Sequence, residues 1–261
     1  MPNRSNTKII AICNQKGGVG KTTTAVNVAA FLAASEISTL VVDMDPQANC
    51  TSGLGIEIGS YEHSVYDVII GKMKLMKCVQ STELEYLDVL PASAQLVGAE
   101  IELVGLLTRE NMLKDAIFDK EVTDKYDYII IDSPPSLGLL TINVLTASNS
   151  IIIPIQCEYY ALEGLSQLLN TIRLVQKKLN PDLRIEGILT TMYDNRLNLS
   201  RQVVKELKEY FGDKVYKTTI CRNVRLGEAP SHGKPILLYD ASSTGAQNYM
   251  NLVSEILALN E

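Results

Sequence analysis

A doubly wound α/β fold, one mainly parallel sheet with helices on both faces, is predicted by three features of this sequence. Short runs rich in β-branched and other apolar residues alternate with stretches of helical apolar spacing from Lys8 to about Leu259, as strand–helix–strand units require. Runs such as Ile129-Ile130-Ile131 are apolar throughout, which suits strands buried on both faces. Two such runs end in aspartate and one in a glycine-rich turn, and α/β sheets bind ligands at the carboxyl ends of their strands. The 261 residues suffice for one large core, and no linker, repeat or low-complexity segment divides them. The expected organisation is therefore a single domain over residues 1–261, with residues 1–7 as a flexible N-terminus.

Taken in order, residues 8–13 read as a buried strand and residues 21–34 as the first helix. Residues 39–45 form a second apolar strand ending in Asp43 and Asp45, and Pro46 to Asn49 turn the chain. Residues 50–85 carry the weakest pattern; only 66–76 have helical spacing, with Lys72, Lys74 and Lys77 as a solvated face. A strand over 86–90 stops at Pro91. A helix over 95–107 groups Leu96, Val97, Ile101, Val104 and Leu107 as its apolar positions, and a shorter helix follows over 111–118. Residues 126–132 are a buried strand closed by Asp132, then Ser133-Pro134-Pro135-Ser136-Leu137-Gly138, stiffened by its prolines and with Gly138 as a hinge. Residues 150–156 are a further central strand, with Pro154 expected at its end because proline lacks a donor for the ladder. A helix from the Cys157 segment reaches Leu179 and stops at Asn180-Pro181. A strand over 184–193, a polar turn at 194–196, an amphipathic helix over 200–211 and a strand over 215–220 follow. They lead to a long loop over 221–235 and a final helix over 244–259. Long loops in compact domains are often functional.

Composition narrows the function. With 46% hydrophobic and 21% charged residues the chain is of ordinary globular type. No apolar run approaches the roughly 20 residues that span a bilayer, and MPNRSNTK has no apolar signal core. The five cysteines (13, 50, 78, 157, 221) form no C-x-x-C pair, which fits a reducing cytosol without disulfides or a zinc site. His63 and His232 are too few for a histidine-based metal cluster. The net charge of −6 argues against nucleic acid until its distribution is considered. Residues 165–235 hold 13 Lys/Arg and 7 Asp/Glu, against 11 and 23 in the remainder. A locally basic C-terminal half can form a phosphate-binding surface, although solvated helix faces would read the same.

The stretch KIIAICNQKGGVGKTTT, residues 8–24, organises the chain. Strand, glycine turn and helix are the context of a phosphate-binding loop. Gly17, Gly18 and Gly20, with Val19 among them, let backbone N–H groups approach phosphate oxygens, and the helix N-terminus adds partial positive charge. Lys21 would reach the β- and γ-phosphates; the Thr22 hydroxyl would ligate Mg2+, with Thr23 beside it. Asp132, closing an apolar strand downstream, has the Walker B arrangement and would hold Mg2+ directly or through water. The loop departs from the usual G-x-x-x-x-G-K-[ST] pattern: Gln15 stands at the first glycine, and a second lysine, Lys16, comes next.

The string KGGVGKTT resembles the deviant Walker A motif of the ParA/MinD family of ATPases. The likeness extends over nearly the whole chain: DMDPQAN (43–49) matches the family's second motif and DSPPSLG (132–138) its switch segment. In detail the chain looks like the short, chromosomal ParA/Soj type. The resemblance implies a P-loop NTPase that uses ATP and Mg2+ and hydrolyses ATP to ADP and phosphate. Lys16 would cross a dimer interface to the phosphates bound by the other subunit. Asp45 would orient or activate the attacking water, so that catalysis falls to Lys16, Lys21 and Asp45, with Asp43 polarising the metal site or the loop from behind. NRLNLSRQVV (195–204) and CRNVRLGEAPSHGKP (221–235) fall where the family has its DNA-contacting arginines and its adenine-side loop. By that likeness Arg196 and Arg225 are DNA contacts and Asn223 is a base-side contact. Cys221 and Gly227 depart from the proline and serine usual there. The family further implies an ATP-sandwich homodimer that binds double-stranded DNA without sequence preference. It implies a ParB-type centromere-binding partner, a role in chromosome or plasmid segregation, and a cytoplasmic, nucleoid-associated location without membrane attachment. Only seven residues precede the first strand, so the helix-turn-helix domain of longer plasmid relatives is not expected.

Three alternatives share this core. A membrane-bound ATPase of the MinD type, placing division sites, would end in a basic amphipathic helix, whereas residues 248–261 contain no Lys or Arg. A reductase resembling the nitrogenase iron protein would need cysteines bridging a dimer; Cys13 and Cys50 abut the first two motifs without paired spacing. The third is the same ATPase positioning another cargo, which the partner decides.

Overall fold

The computed structural model describes residues 7–158 and 161–260, without the side chains of residues 161–163 and 260. In chain order its elements begin with β1 (Lys8–Ile12), α1 (Lys21–Ala34), β2 (Thr39–Asp43), α2 (Asn49–Gly53), α3 (Val65–Ile69), β3 (Gln80–Ser81) and β4 (Leu87–Leu90). Next come α4 (Leu96–Leu103), α5 (Met112–Ile117), α6 (Lys120–Thr123), β5 (Tyr128–Asp132), α7 (Leu139–Ala147), β6 (Ser150–Gln156) and α8 (Ala161–Lys178). The chain closes with β7 (Arg184–Tyr193), α9 (Asn198–Phe211), β8 (Val215–Cys221), α10 (Val224–Glu228), α11 (Ile236–Tyr239) and α12 (Thr244–Asn260).

The strands form one eight-stranded sheet in the order β3-β4-β2-β5-β1-β6-β7-β8. Every neighbouring pair is parallel except β3 with β4. This is the doubly wound fold that the alternation of strands and helices predicts. Every residue of β2 and β5 is buried, and each fully buried Ile, Leu or Val stabilises the fold by roughly 1.5–3 kcal/mol. One core layer lies under α3, α4, α5, α7 and α8; the other lies under α1 and α12. From β1 the chain winds first toward β2, while β6 lies on the other side of β1. The turn after β1 thus sits where the winding reverses, the usual ligand position in such sheets.

Several expectations change. Residues 1–6 lie outside the described residues; Thr7 is buried, and its hydroxyl donates to the Thr123 and Tyr126 carbonyls at 2.9 Å, so it is anchored rather than part of a flexible arm. The helix expected over 66–76 stops at Ile69: a capping box of Ser64 and Asp67 starts it, and Gly71 at φ 77° ends it. Pro154 lies inside β6, opposite Leu189 of β7. It is tolerated because pairing of β6 with β1 ends at Ile152, and the Asn14 side-chain amide donates to the Pro154 carbonyl at 2.7 Å on that side. The segment expected as a long loop, 221–235, is largely α10 and a 3-10 turn over Ala229–His232. The helix expected from the Cys157 segment is described from Ala161, and residues 159 and 160 lie outside the described residues.

The largest correction concerns α4. It ends at Leu103 and buries Leu96, Ala99 and Leu103. Of the five apolar positions expected to face inward, only Leu96 does; Val97, Ile101, Val104 and Leu107 are 66%, 79%, 63% and 101% exposed. The helix carries two apolar stripes, and the core took the one containing the small Ala99, which lets the helix approach closely.

Candidate active site

β1 delivers the chain to the turn Gly17-Gly18-Val19-Gly20, and α1 begins at Lys21 with no side-chain cap. Gly18 and Gly20 sit at φ 73° and 88°, a left-handed backbone that costs other residues roughly 1–2 kcal/mol. The uncapped N–H groups of the first turn are therefore available to an anion. The Thr191 hydroxyl on β7 donates to the Val19 carbonyl at 2.8 Å, and the Asn14 side chain accepts from the Lys16 N–H at 3.0 Å. The loop is thus held in shape before any ligand arrives.

A cavity of about 620 Å3 opens on this loop. Gly17, Gly18, Gly20, Lys21, Thr22, Thr23, Asn27 and Asp45 line it, with Pro135 from the segment after β5 and Met192 from the end of β7. Lys21 is buried, and its ammonium donates to the Lys16 carbonyl at 3.1 Å. Burial pulls its pKa down, against the opposing charges of Asp132 and Asp45. Ala48 and Met192, both near the cavity, hold positive φ of 53° and 50°, strain of the kind that gathers at functional sites.

Beneath the loop lie three carboxylates. β2 and β5 are paired in register Asp43 to Asp132, so parallel pairing alone places these two side by side. The Thr22 hydroxyl donates to Asp132 Oδ2 at 2.7 Å, while the buried Asp132 Oδ1 has no hydrogen-bond partner among the described residues. Burial first, and the neighbouring Asp43 charge second, push the Asp132 pKa well above the carboxylate range. Asp43 accepts from the Asp45 N–H at 3.1 Å, the Thr51 N–H at 2.8 Å and the Thr51 hydroxyl at 2.7 Å, yet burial still raises its pKa to about 6. Asp45 is at the cavity wall, beyond the end of β2, and its Oδ1 accepts from the Gln47 N–H at 3.0 Å. The orphaned Asp132 oxygen beside the Thr22 hydroxyl fits a cation such as Mg2+ held by that hydroxyl and by water, since no three carboxylates converge on a cation among the described residues.

The Asp43 shift sets a pH dependence. The unfolded carboxyl releases its proton near 3.8, the folded one near 6. Between those values the folded state binds more protons, so this group's contribution to stability is full below about pH 4 and is lost as pH rises to about 6. Thermal unfolding in EDTA, followed across that window, should show a falling Tm in the wild type and a flatter profile in Asp43→Asn.

Lys16 does not line this cavity. It lines a shallow cleft with Gln15, Pro135, Ser136, Leu137, Gly164 and Gln167. Its ammonium pairs with Glu158 at 2.8 Å, with both side chains 40–48% exposed. Asn223 lines a smaller cavity of about 200 Å3 with Thr23, Thr191, Met192, Cys221, Gly227 and Tyr249; its side chain accepts from the Leu226 N–H and so caps α10. A Cβ at Gly227 would meet nothing within 4 Å, so the serine usual there would fit, and the departure leaves the backbone unchanged. Arg196 and Arg225 lie in the segments after β7 and β8, and neither touches the cavity. Arg196 grips Asp194 through two bonds of 2.9 and 2.7 Å, holding that carboxyl at about 2. Arg225 contacts Glu228 at 2.9 Å and Asp240 at 3.5 Å.

Sequence reasoning missed Thr51, which anchors Asp43, and Glu158, which holds Lys16. It also missed Thr191, Asn27 and Tyr249, which brace the loop and α1: the Asn27 side chain accepts from the Ile236 N–H at 2.8 Å and Tyr249 meets Thr24 at 3.2 Å. Thr51 stands near the aspartate motif and was findable as a hydroxyl on the next turn; the others act across more than 140 residues. Cys13 and Cys50 are fully buried, and burial raises both thiols, Cys13 to about 12. No helix among the described residues is long and apolar enough to cross a membrane.

The family model described as an AAA domain matches residues 7–185. The sporulation initiation inhibitor protein Soj of Bacillus subtilis is 62% identical over 251 residues, covering 96% of this chain and 98% of Soj. The chromosome partitioning protein ParA of Myxococcus xanthus is 54% identical, covering 96% of this chain and 88% of that protein. Among solved structures, cobyrinic acid a,c-diamide synthase of Mycobacterium smegmatis, with a bound ATP analogue and magnesium, superposes with a TM-score of 0.84. It is 36% identical, covering 96% of this chain and 94% of that one.

Proposed function

This chain belongs to the Soj/ParA family of chromosome-partitioning ATPases, and from that premise we propose that it is a Mg2+-dependent ATP hydrolase. It dimerises on ATP, binds double-stranded DNA without sequence preference in that state, and releases DNA after hydrolysis stimulated by a ParB-type partner. One observation carries the reading: of two lysines in one glycine loop, Lys21 turns into its own cavity while Lys16 turns out of it, to Glu158 after β6. A lysine facing away from its own phosphates is placed to serve another subunit's.

The phosphates rest on the N–H groups of residues 17–22, with Lys21 on their charge and the base toward Asn223. Thr22, seated on Asp132, would hold Mg2+ with its hydroxyl oxygen, and Asp132 would act through Thr22 or a water because it is itself fully buried. Bound Mg2+ supplies charge neutralisation to the phosphates and fixes their geometry. Asp45 orients the attacking water and takes up its proton. Phosphoryl transfer of this kind depends on positioning and charge stabilisation, so a single subunit lacking a partner's Lys16 is a slow enzyme. Closure of two subunits moves each Lys16 from Glu158 to the other's phosphates. The exposed Lys16–Glu158 pair is worth at most about 1 kcal/mol, a small cost to dimer formation.

Arg196 and Arg225 contact DNA phosphates from the basic half of the chain. Contacts of this type confer affinity without sequence information and weaken with salt. The test is co-sedimentation with random-sequence duplex DNA in ATP, in ADP and without nucleotide. Binding in ATP alone, falling as salt rises, and lost in Arg225→Glu is the expected result. Binding that ignores the nucleotide, or that survives in both Arg196→Glu and Arg225→Glu, would count against the reading.

A further inference from the structure

The core leaves apolar side chains on α4 and just after it uncovered. Val97 and Ile101 lie on α4, and Val104 and Leu107 follow at similar sequence spacing in the turns beyond its end at Leu103, each at least 63% exposed. A contiguous exposed apolar stripe marks an interaction surface rather than ordinary protein surface, and spacing of this kind accepts a partner helix. Two further observations say what covers it.

The first is charge. The segment 57–127, which supplies α3 to α6 and the β3–β4 edge of the sheet, contains 14 Asp/Glu and 7 Lys/Arg. The segment 165–235, with 13 Lys/Arg and 7 Asp/Glu, supplies the β7–β8 edge. The two edges of one sheet thus have opposite sign, and the apolar stripe lies on the acidic one, rimmed by Glu100 and Glu102. A partner helix bearing Lys or Arg beside its apolar side chains is attracted to this edge, while DNA is attracted to the other. The two ligands do not compete.

The second is a mechanical link. Glu100, on α4 between the exposed positions, points at the start of α7: its Oε1 accepts from the Leu140 N–H at 3.4 Å. A Cβ at Gly138 would lie 2.3 Å from that same oxygen. The Glu100 carboxylate thus lies against Gly138, whose backbone is ordinary extended chain. Glu100 of α4 therefore touches the chain beside residues 133–138, whose Pro135 lines the cavity on the glycine loop.

We propose that the exposed surface of Val97 and Ile101 on α4, continued by Val104 and Leu107 in the turns after it, docks a basic amphipathic helix of the protein that stimulates hydrolysis, and that Glu100 is the positioning residue through which docking acts on the segment 133–138. This rests on the partner-stimulated ATPase reading and names the surface that reading leaves open. The probe is the ParB-type protein of the same organism bound to its centromere DNA, titrated into full-length enzyme with ATP and DNA. In Ile101→Asp, intrinsic turnover and ATP-dependent dimerisation should stay at wild-type levels, while the half-stimulating partner concentration rises about tenfold or more, the loss expected of one interface anchor. Leu107→Asp, outside the helix, should do the same without a helix substitution. Glu100→Gln should keep the half-stimulating concentration and lower the maximal stimulation, a split that a merely destabilising change would not produce. Full stimulation of both Ile101→Asp and Leu107→Asp at wild-type partner concentrations would overturn the docking surface alone. Loss of ATP-dependent dimerisation in Ile101→Asp would overturn it in favour of a contact between two copies. A wild-type enzyme that the partner does not stimulate would overturn the partner reading, and this inference with it.

Discussion

Lys21→Ala should lose ATP binding while the fold stands. Lys21 is the buried cation of the site, and its ammonium makes one hydrogen bond among the described residues, to the Lys16 carbonyl. A buried ammonium with so few partners is a cost to the free protein, which is why burial pulls its pKa down. On the proposed reading that cost is recovered when phosphates bind. Truncating one member of a desolvated charge pair typically costs 2–5 kcal/mol or more, an affinity loss on the order of a hundredfold to a thousandfold. Calorimetric titration with ATP should show no saturable binding at concentrations that fill the wild type. The Tm of the nucleotide-free variant should match or exceed that of the wild type, and its ATP-induced rise should vanish. A variant that unfolds without ligand would mean that Lys21 holds the fold rather than the phosphates.

Asp45→Ala should keep ATP and stop turning it over. Asp45 stands at the cavity wall just beyond β2, clear of the glycine loop, so its removal leaves the phosphate cradle intact. Losing a positioned general base lowers turnover by roughly a hundredfold to ten-thousandfold. On the proposed cycle, in which hydrolysis ends the dimer, the ATP-bound dimer should then accumulate. Asp45 also fastens its own turn by accepting from the Gln47 N–H at 3.0 Å. Asp45→Asn separates the two roles: its amide oxygen can still accept that bond, but it takes up no proton. Both variants should lose hydrolysis in single-turnover assays and both should sediment as dimers with ATP. Recovery of turnover in Asp45→Asn would assign Asp45 to the turn and not to the water.

The parts of this protein that could be read in the sequence are those set by local rules. Buried parallel strands announce themselves as unbroken apolar runs, and the phosphate loop is contiguous, so β1, its glycine turn and α1 needed no tertiary information. The register that brings Asp43 beside Asp132 follows once β2 and β5 are neighbours. What escaped depends on distant partners. The periodicity of α4 is consistent with either of two stripes, and only the packing of Ala99 and Leu103 against the core decides between them. Residues 221–235 looked like a loop because α10 is five residues long. Helices that short are formed by tertiary contacts and caps rather than by propensity, here the Asn223 cap. Glu158 meets Lys16 across 142 residues, and no spacing rule connects them.

The proposed exchange of Lys16 between subunits is tested most directly by sedimentation velocity in ATP. Asp45→Ala is compared with Lys16→Ala/Asp45→Ala, so that hydrolysis cannot dissolve either assembly, and bound nucleotide is measured in both. The account predicts dimers for the single variant and nucleotide-loaded monomers for the double variant. Dimers of the double variant, as abundant as those of the single one, would contradict it.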